Sequence, residues 1–153
     1  MNTIEIETIC TSDPLLLRKF GGVYARDCLP HEPSADFFYI CNTAPSTHPG
    51  VHWVLIYRNS SRHVEYFDSL GSRPIHQDIE AFLGDEYYTV TGQTQDSWSS
   101  LCGHYCLFYI SLRVRGMPMN DIMTMLYNSG SQSDNLVATY IWEIYQFKCD
   151  FQN

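Results

Sequence analysis

An α+β domain is the fold class this chain predicts, and three observations lead there. Short apolar runs rich in β-branched and aromatic residues recur between residues 37 and 91, each bounded by turn-forming residues. Segments with helical spacing stand on both sides of them. The chain's 153 residues, 44% hydrophobic and 14% aromatic, suit a single domain around one core, and eleven tyrosines and eight phenylalanines exclude a disordered chain. No internal repeat, linker or low-complexity tract divides residues 1–153.

The elements are read in order. Asp13 can cap a short helix over 13–19, Pro14 suits its first position, and Gly21-Gly22 ends it. Phe37 to Cys41 reads as a short buried strand. After the turn Thr47-His-Pro-Gly50, the nearly continuous apolar run Val51 to Tyr57 reads as a central strand covered on both faces. Arg58 to Arg62 turns the chain back into a second strand, Val64 to Phe67. Ile75 to Phe82, between Pro74 and Gly84, has helical spacing, and Glu86 to Thr91 reads as a further strand. A polar loop from Thr91 to Ser100 leads into the longest apolar helix, Leu101 to Arg115, closed by Gly116 and Pro118. Met119 to Tyr127 and Asp134 to Phe147 are two more helices, the second with Asp134 as its cap. The result is a small sheet, mixed or mostly antiparallel, with helices around it.

Composition narrows the function. Nine basic against seventeen acidic residues give a net charge of -8, and the arginines are scattered. A duplex-binding surface needs a basic stripe, so nucleic acid is disfavoured as a partner and a basic partner favoured. Cysteines stand at 10, 28, 41, 102, 106 and 149. No CxxC pair occurs, and Glu5 and Glu7 break the basic-then-apolar pattern of a secretory leader, so the thiols are expected reduced and the protein not secreted. No apolar run approaches the ~20 residues that cross a bilayer. His104 and Cys106 form no metal-ligand set with a second pair, so no metal is expected.

The chemistry gathers in four segments. Ser99-Ser100-Leu-Cys102-Gly103 places a thiol where a polar loop enters an apolar helix, and helix N-termini favour a thiolate. The plainer reading of any single cysteine is a small core residue, and Cys106, amid Tyr105, Leu107 and Phe108, is read so. Gly103 costs about 1 kcal/mol in a first helical turn relative to alanine, which suggests a place where a substrate backbone comes close. His52 opens the most apolar strand and can serve as a general base, while the other five histidines sit in polar contexts or, like His104, on another helix face. If strands 51–57 and 64–68 form a hairpin, Asp68 falls at the same end as His52 and can hold its tautomer; otherwise Asp68 merely starts a turn. A loop glutamine, Gln95 or its neighbour Gln93, can supply an oxyanion donor with the N–H of Cys102. Trp53 can wall a narrow channel that favours glycine near a cut.

His52-Trp53, then Asp68, then Gln95-x6-Cys102-Gly103, resemble in order and spacing the adenain-like cysteine proteases. These comprise the adenovirus maturation proteases and their relatives in adenovirus-like DNA viruses and large self-synthesising transposons. Phe20-Gly-Gly-Val-Tyr24 is similar to that family's Phe-Leu-Gly-Thr-Tyr stretch, and Asn42-Thr-Ala44 with Gly50-Val51-His52-Trp53 to its Asn-Thr-Ala and Gly-Gly-Val-His-Trp stretches. Tyr66-Phe67-Asp68 with Gly71 is similar to its acid-bearing strand. The likeness spans about residues 15 to 115; beyond Met117 only generic helix aligns. It implies a papain-like, adenain-like fold with the nucleophile at a helix N-terminus. It further implies a cysteine endopeptidase that cleaves viral precursor proteins, with Cys102 as nucleophile, His52 as base, Asp68 as orienting acid and Gln95 as oxyanion donor. Small or glycine residues would be preferred near the cut, and Trp53 and Gly103 would meet the substrate.

The resemblance places the protein in the host nucleus or cytoplasm or in the virion, acting as a monomer on protein or peptide substrates without a cofactor. Three departures stand out. The family bears glutamate at the position of Asp68. The disulfide by which the family's activating peptide attaches uses a cysteine between the acid and the nucleophile, and none lies between Asp68 and Cys102. The family's DNA cofactor fits poorly with a charge of -8. The wider clan also contains deubiquitinase- and deSUMOylase-type enzymes with the same elements, which leaves that activity, or an inactive tail-binding module, as alternatives.

Overall fold

The structure is a computed structural model that describes residues 1–90 and 92–146. Its centre is a five-stranded sheet in the order β1 (Phe20–Ala25), β2 (Phe37–Asn42), β3 (Trp53–Arg58), β4 (Val64–Phe67), β5 (Tyr88–Thr89). The helices are α1 (Thr3–Ser12), α2 (Pro14–Leu17), α3 (Gln77–Leu83), α4 (Cys102–Val114), α5 (Met119–Ser129) and α6 (Ser133–Tyr145). The protein is therefore α+β, and the sheet is mixed rather than mostly antiparallel. β2–β3 and β3–β4 are antiparallel, whereas the outer pairs β1–β2 and β4–β5 are parallel.

Alternation along the strands splits the core into two layers. Phe38, Ile40, Trp53, Leu55, Tyr57 and Phe67 face α1, α2, α4, α5 and α6. Tyr39, Cys41, Val54, Ile56, Val64 and Tyr66 face α3 through Ile79, Phe82 and Leu83. β3 is buried on both faces, which accounts for its unbroken apolar run. α4 runs along the first layer and is buried from Cys102 to Ser111. Glu65 of β4 reaches the same side, where its carboxylate accepts hydrogen bonds from the Tyr109 hydroxyl at 2.9 Å and from Arg113 Nε at 3.0 Å. A carboxylate so deep is stable only with such partners.

Several elements differ from the expectation. α1 escapes the sequence pattern because its exposed face carries Ile4 and three β-branched threonines, yet Asn2 and Glu5 close a reciprocal capping box at its start. The helix over 13–19 is shorter, α2 alone, because Gly21 and Gly22 do not stop a helix; they lie inside β1. The pairing register shifts between Phe20 and Gly22, and Gly22 has φ 123°. At Gly21 the Tyr39 ring lies so close that a Cβ would stand 2.3 Å from it. Glycine within this strand marks a bulge and a close ring contact. β5 is also shorter than residues 86–91, and the helix expected over 134–147 starts one residue earlier and ends at Tyr145, where Gln146 takes the left-handed conformation as its C-cap; Phe147 itself lies outside the described residues. Asp134 is not its cap: the N-cap is Gln132, without a side-chain bond, and the Asp134 carboxylate turns to the Tyr105 hydroxyl.

Candidate active site

Three chain segments converge where α4 begins. Cys102 is the first residue of α4, at the end where unpaired peptide N–H groups and the helix dipole oppose a proton on sulfur. His52 immediately precedes β3, and Asp68 immediately follows β4. The β3–β4 pairing (Leu55 opposite Phe67) therefore brings them to the same end of the hairpin. His52 Nε2 lies 2.8 Å from Asp68 Oδ1, and the imidazole shares its cleft with Cys102, close enough for each to shift the other's proton affinity. With Nε2 on the carboxylate, Nδ1 is the nitrogen left for the sulfur. The same Asp68 oxygen accepts the backbone N–H of Leu70 at 2.8 Å. Asp68 is buried and cannot swing away.

The electrostatics follow from these contacts. Burial opposes a charged His52, but hydrogen bonds to Asp68 and Cys102 outweigh it and push the imidazole up to about 9. Burial likewise opposes a thiolate at Cys102. The His52 hydrogen bond and the N–H groups of Trp53 and Gly103 outweigh it and hold the thiol below its ordinary value. Cys10, Cys41 and Cys106 show burial without these partners: Cys41 is pushed up to about 12 and the other two upward as well. Both shifts run toward the charged forms, thiolate and imidazolium. The five cysteines among the described residues are all free, and Cys149 lies outside them. His104 is buried, does not line the cleft, and is pushed down to about 4 by desolvation and the nearby N-terminal charge.

Gln95 enters from the polar loop. Its Oε1 accepts the Ser69 hydroxyl proton at 2.6 Å, which sets the amide's orientation, and its Nε2 donates to the Ser99 carbonyl at 2.7 Å. A carboxamide has two N–H bonds, and beyond the Ser99 carbonyl Nε2 has only the long 3.4 Å contact to Ser99 Oγ, which a better acceptor can displace. Gln95, His52 and Cys102 line one cleft of about 890 Å³. Gln93, the alternative by spacing, instead donates to the Gln95 carbonyl and to Ser97 Oγ, both at 2.7 Å, and does not line that cleft. Trp53 does line it, with its indole N–H donating to the Met1 carbonyl at 3.0 Å. Gly103 does not. A Cβ at Gly103 would stand 3.2 Å from both Met1 Cβ and Trp53 Cδ1, so this glycine fits the helix to the protein's own N-terminal segment rather than to the cleft.

Several contributors were not picked out by residue type alone. The Asn42 side-chain oxygen accepts the N–H groups of Ala44 at 2.9 Å and Val51 at 3.1 Å, clamping the loop that delivers His52. Gly50 is needed beside it, because a Cβ there would stand 2.6 Å from Asn42 Nδ2. Ser69 holds the glutamine loop through three bonds to its carbonyl, from the N–H groups of Thr94 and Gln95 and the Thr94 hydroxyl. Gly71, at φ 71°, lets the Asp68 turn press against Gly92. An Asn-x-Ala segment paired with Gly-Val-His, and an Asp-Ser-x-Gly turn, were the signals available.

No protein-family model matches the chain, and no curated protein matches its sequence. Among the described residues no three His, Cys, Asp or Glu side chains cluster as a metal site would require, and no helix is long and apolar enough to cross a membrane.

Proposed function

We propose that the protein is a cysteine endopeptidase of the adenain-like type, with a papain-like arrangement of helix-borne nucleophile and sheet-borne base, that cleaves viral precursor proteins. The observation that carries the reading is His52, bonded to Asp68 at 2.8 Å, sharing the wall of one open cleft with Cys102 at the start of α4. Structural ion pairs also shift pKa values, but they rarely place a depressed thiol, an imidazole and a carboxamide together in a groove of peptide size.

The reaction runs in two halves. Cys102 Sγ attacks the scissile carbonyl carbon, and the carbonyl oxygen takes the negative charge. The second Gln95 N–H and the backbone N–H of Cys102, for which the helix supplies no acceptor, stabilise that oxygen. His52 gives its Nδ1 proton to the amine nitrogen, the C–N bond breaks, and a thioester remains. Water then attacks the thioester, His52 takes its proton, and the carboxylic product leaves with the thiolate restored. Asp68 keeps Nε2 protonated throughout and so points Nδ1 at the sulfur.

The cleft supports a neutral substrate. Among the described residues no Asp, Glu, Lys or Arg lines it, and Ala25, Ala44, Gly50, Ser99 and Ser100 contribute only small side chains to its wall. That environment suits small uncharged residues beside the cut, including glycine. The test is a peptide-library cleavage profile run alongside a Cys102→Ala variant. Cleavage enriched in small uncharged residues and lost in the variant is expected. A profile unchanged by Cys102→Ala, or no cleavage together with no selective alkylation of Cys102, overturns the reading.

A further inference from the structure

We infer that Tyr105 and Asp134 are positioning residues that hold Gln95 at the oxyanion, an inference that rests on the function proposed above. Both peptide groups flanking Gln95 are fixed at both of their polar atoms. In the preceding peptide, the N–H of Gln95 donates to Ser69 O at 3.0 Å, and the Thr94 carbonyl accepts the Tyr105 hydroxyl at 2.9 Å and the Ser133 hydroxyl. In the following peptide, the Gln95 carbonyl accepts Gln93 Nε2 at 2.7 Å, and the Asp96 N–H donates to Asp134 Oδ1 at 3.3 Å. With both planes held, the glutamine has no backbone freedom with which to leave the cleft.

Tyr105 and Asp134 tie this arrangement to the nucleophile. Tyr105 lies three residues beyond Cys102, nearly one turn along α4, and its ring is fully buried. Its hydroxyl also bonds Asp134 Oδ1 at 2.7 Å and Ser133 Oγ at 2.9 Å. The hydroxyl protons of Tyr105 and Ser133 are thus shared between the Thr94 carbonyl and a carboxylate, and bonds to a charged acceptor are the stronger kind. The helix that carries the sulfur is joined through one side chain to the loop that carries the oxyanion donor. Behind the loop lies a cavity of about 270 Å³ lined by Thr94, Asp96, Leu126, Tyr127 and Asp134. The polar bonds from Tyr105, Ser133 and Asp134 hold the loop at the edge of that cavity.

A purely structural role and a positioning role make different predictions. Alkylation of Cys102 by iodoacetamide needs the thiolate but forms no oxyanion, whereas hydrolysis of a fluorogenic Gly-Gly-containing peptide needs both. The full-length protein is tested as wild type, Tyr105→Phe, Gln95→Ala and the double variant, with thermal melts on each. Tyr105→Phe is expected to lower kcat on the order of 10-fold, a fraction of the loss from removing a whole oxyanion donor, with KM and the alkylation rate nearly unchanged. In the Gln95→Ala background the same substitution should cost less than about 2-fold, since residues acting through one group are not additive. Asp134→Asn should follow the same pattern more weakly, and its cycle decides if Tyr105→Phe does not fold. An unchanged kcat, a full loss repeated in the Gln95→Ala background, or alkylation falling in step with kcat overturns the inference while leaving the peptidase intact. A wild type that neither cleaves nor is alkylated selectively at Cys102 overturns the peptidase reading, and this inference with it.

Discussion

Cys102 and Cys106 sit one helical turn apart on α4, both buried, and their thiols move in opposite directions. Cys106 is enclosed by its own helix and the apolar faces of the core, where nothing can stabilise charge, and its proton is held tightly. Burial opposes a charge at Cys102 as well, but this sulfur stands at the helix start, beside an imidazole and two peptide N–H groups. Helix position alone does not make a nucleophile; the sheet must deliver the partner. That delivery depends on the β3–β4 hairpin, whose register puts His52 and Asp68 at one end.

The sharpest way to break this comparison is to remove each sulfur. Cys102→Ala should abolish peptide hydrolysis, a loss of about 10⁴-fold or more. Cys106→Ala should leave kcat/KM within about 2-fold and lower the melting temperature slightly through the small cavity it leaves. Steady-state kinetics and a melt on both variants decide it, and comparable losses of activity would remove the distinction. Gln95→Ala comes next, at about 10² to 10³ in kcat, with the iodoacetamide rate at Cys102 preserved because alkylation needs no oxyanion.

How far the site could be read from the chain has a physical explanation. Cys102, His52 and Asp68 were legible because each lies at the end of a strongly patterned element, the α4 apolar run or the β3 and β4 strands. The strand register then dictates which ends meet. The choice between Gln93 and Gln95 was not legible: both lie in an irregular loop, and only the Ser69 bonds and the direction of each amide separate them. β1 was lost for a related reason. Its two glycines read as a helix stop, whereas they accommodate a bulge and the Tyr39 ring, a contact between residues 18 apart that local pattern does not carry. A mixed sheet was within the expectation, but which pairs are parallel was not legible, because pairing direction is set by connections, not by the strands' own composition. Asp134 looked like a cap by type, but the tertiary partner Tyr105 takes its carboxylate.

The pH profile tests the electrostatic half of the comparison. Hydrolysis should rise as Cys102 loses its proton, below the ordinary thiol range, and should fall again as the imidazolium is lost near about 9. Activity is thus present between the two and disappears on both sides. In His52→Ala the alkylation midpoint should move upward, because burial then acts on the sulfur with its main counter-charge gone. A midpoint unmoved by that substitution would mean that the helix terminus alone sets the acidity. Asp68→Asn should be far milder, on the order of 10-fold. The amide oxygen can accept both bonds that Oδ1 now receives, from Nε2 and from the Leu70 N–H, and an asparagine serves in this place in papain-like enzymes. It should also narrow the profile from its alkaline side, since His52 loses the carboxylate that holds its proton.

Only a small effect is expected at Gly103, and it separates two readings of one residue. Next to a cysteine at the start of a helix, a glycine looks like space reserved for a substrate. Here the space is taken by Met1 and Trp53, each 3.2 Å from where a Cβ would stand. Alanine gains about 1 kcal/mol of helix propensity over glycine. Against that, both neighbours must give by a few tenths of an ångström; the Met1 side chain is flexible, but the Trp53 ring is held by its bond to the Met1 carbonyl. The two effects nearly cancel, so Gly103→Ala should change the unfolding free energy by less than about 1 kcal/mol and kcat/KM by less than about 3-fold. A large rise in KM with an unchanged melt would mean that the glycine does border the bound peptide, and that the cleft extends past Trp53 once a substrate displaces the N-terminal segment.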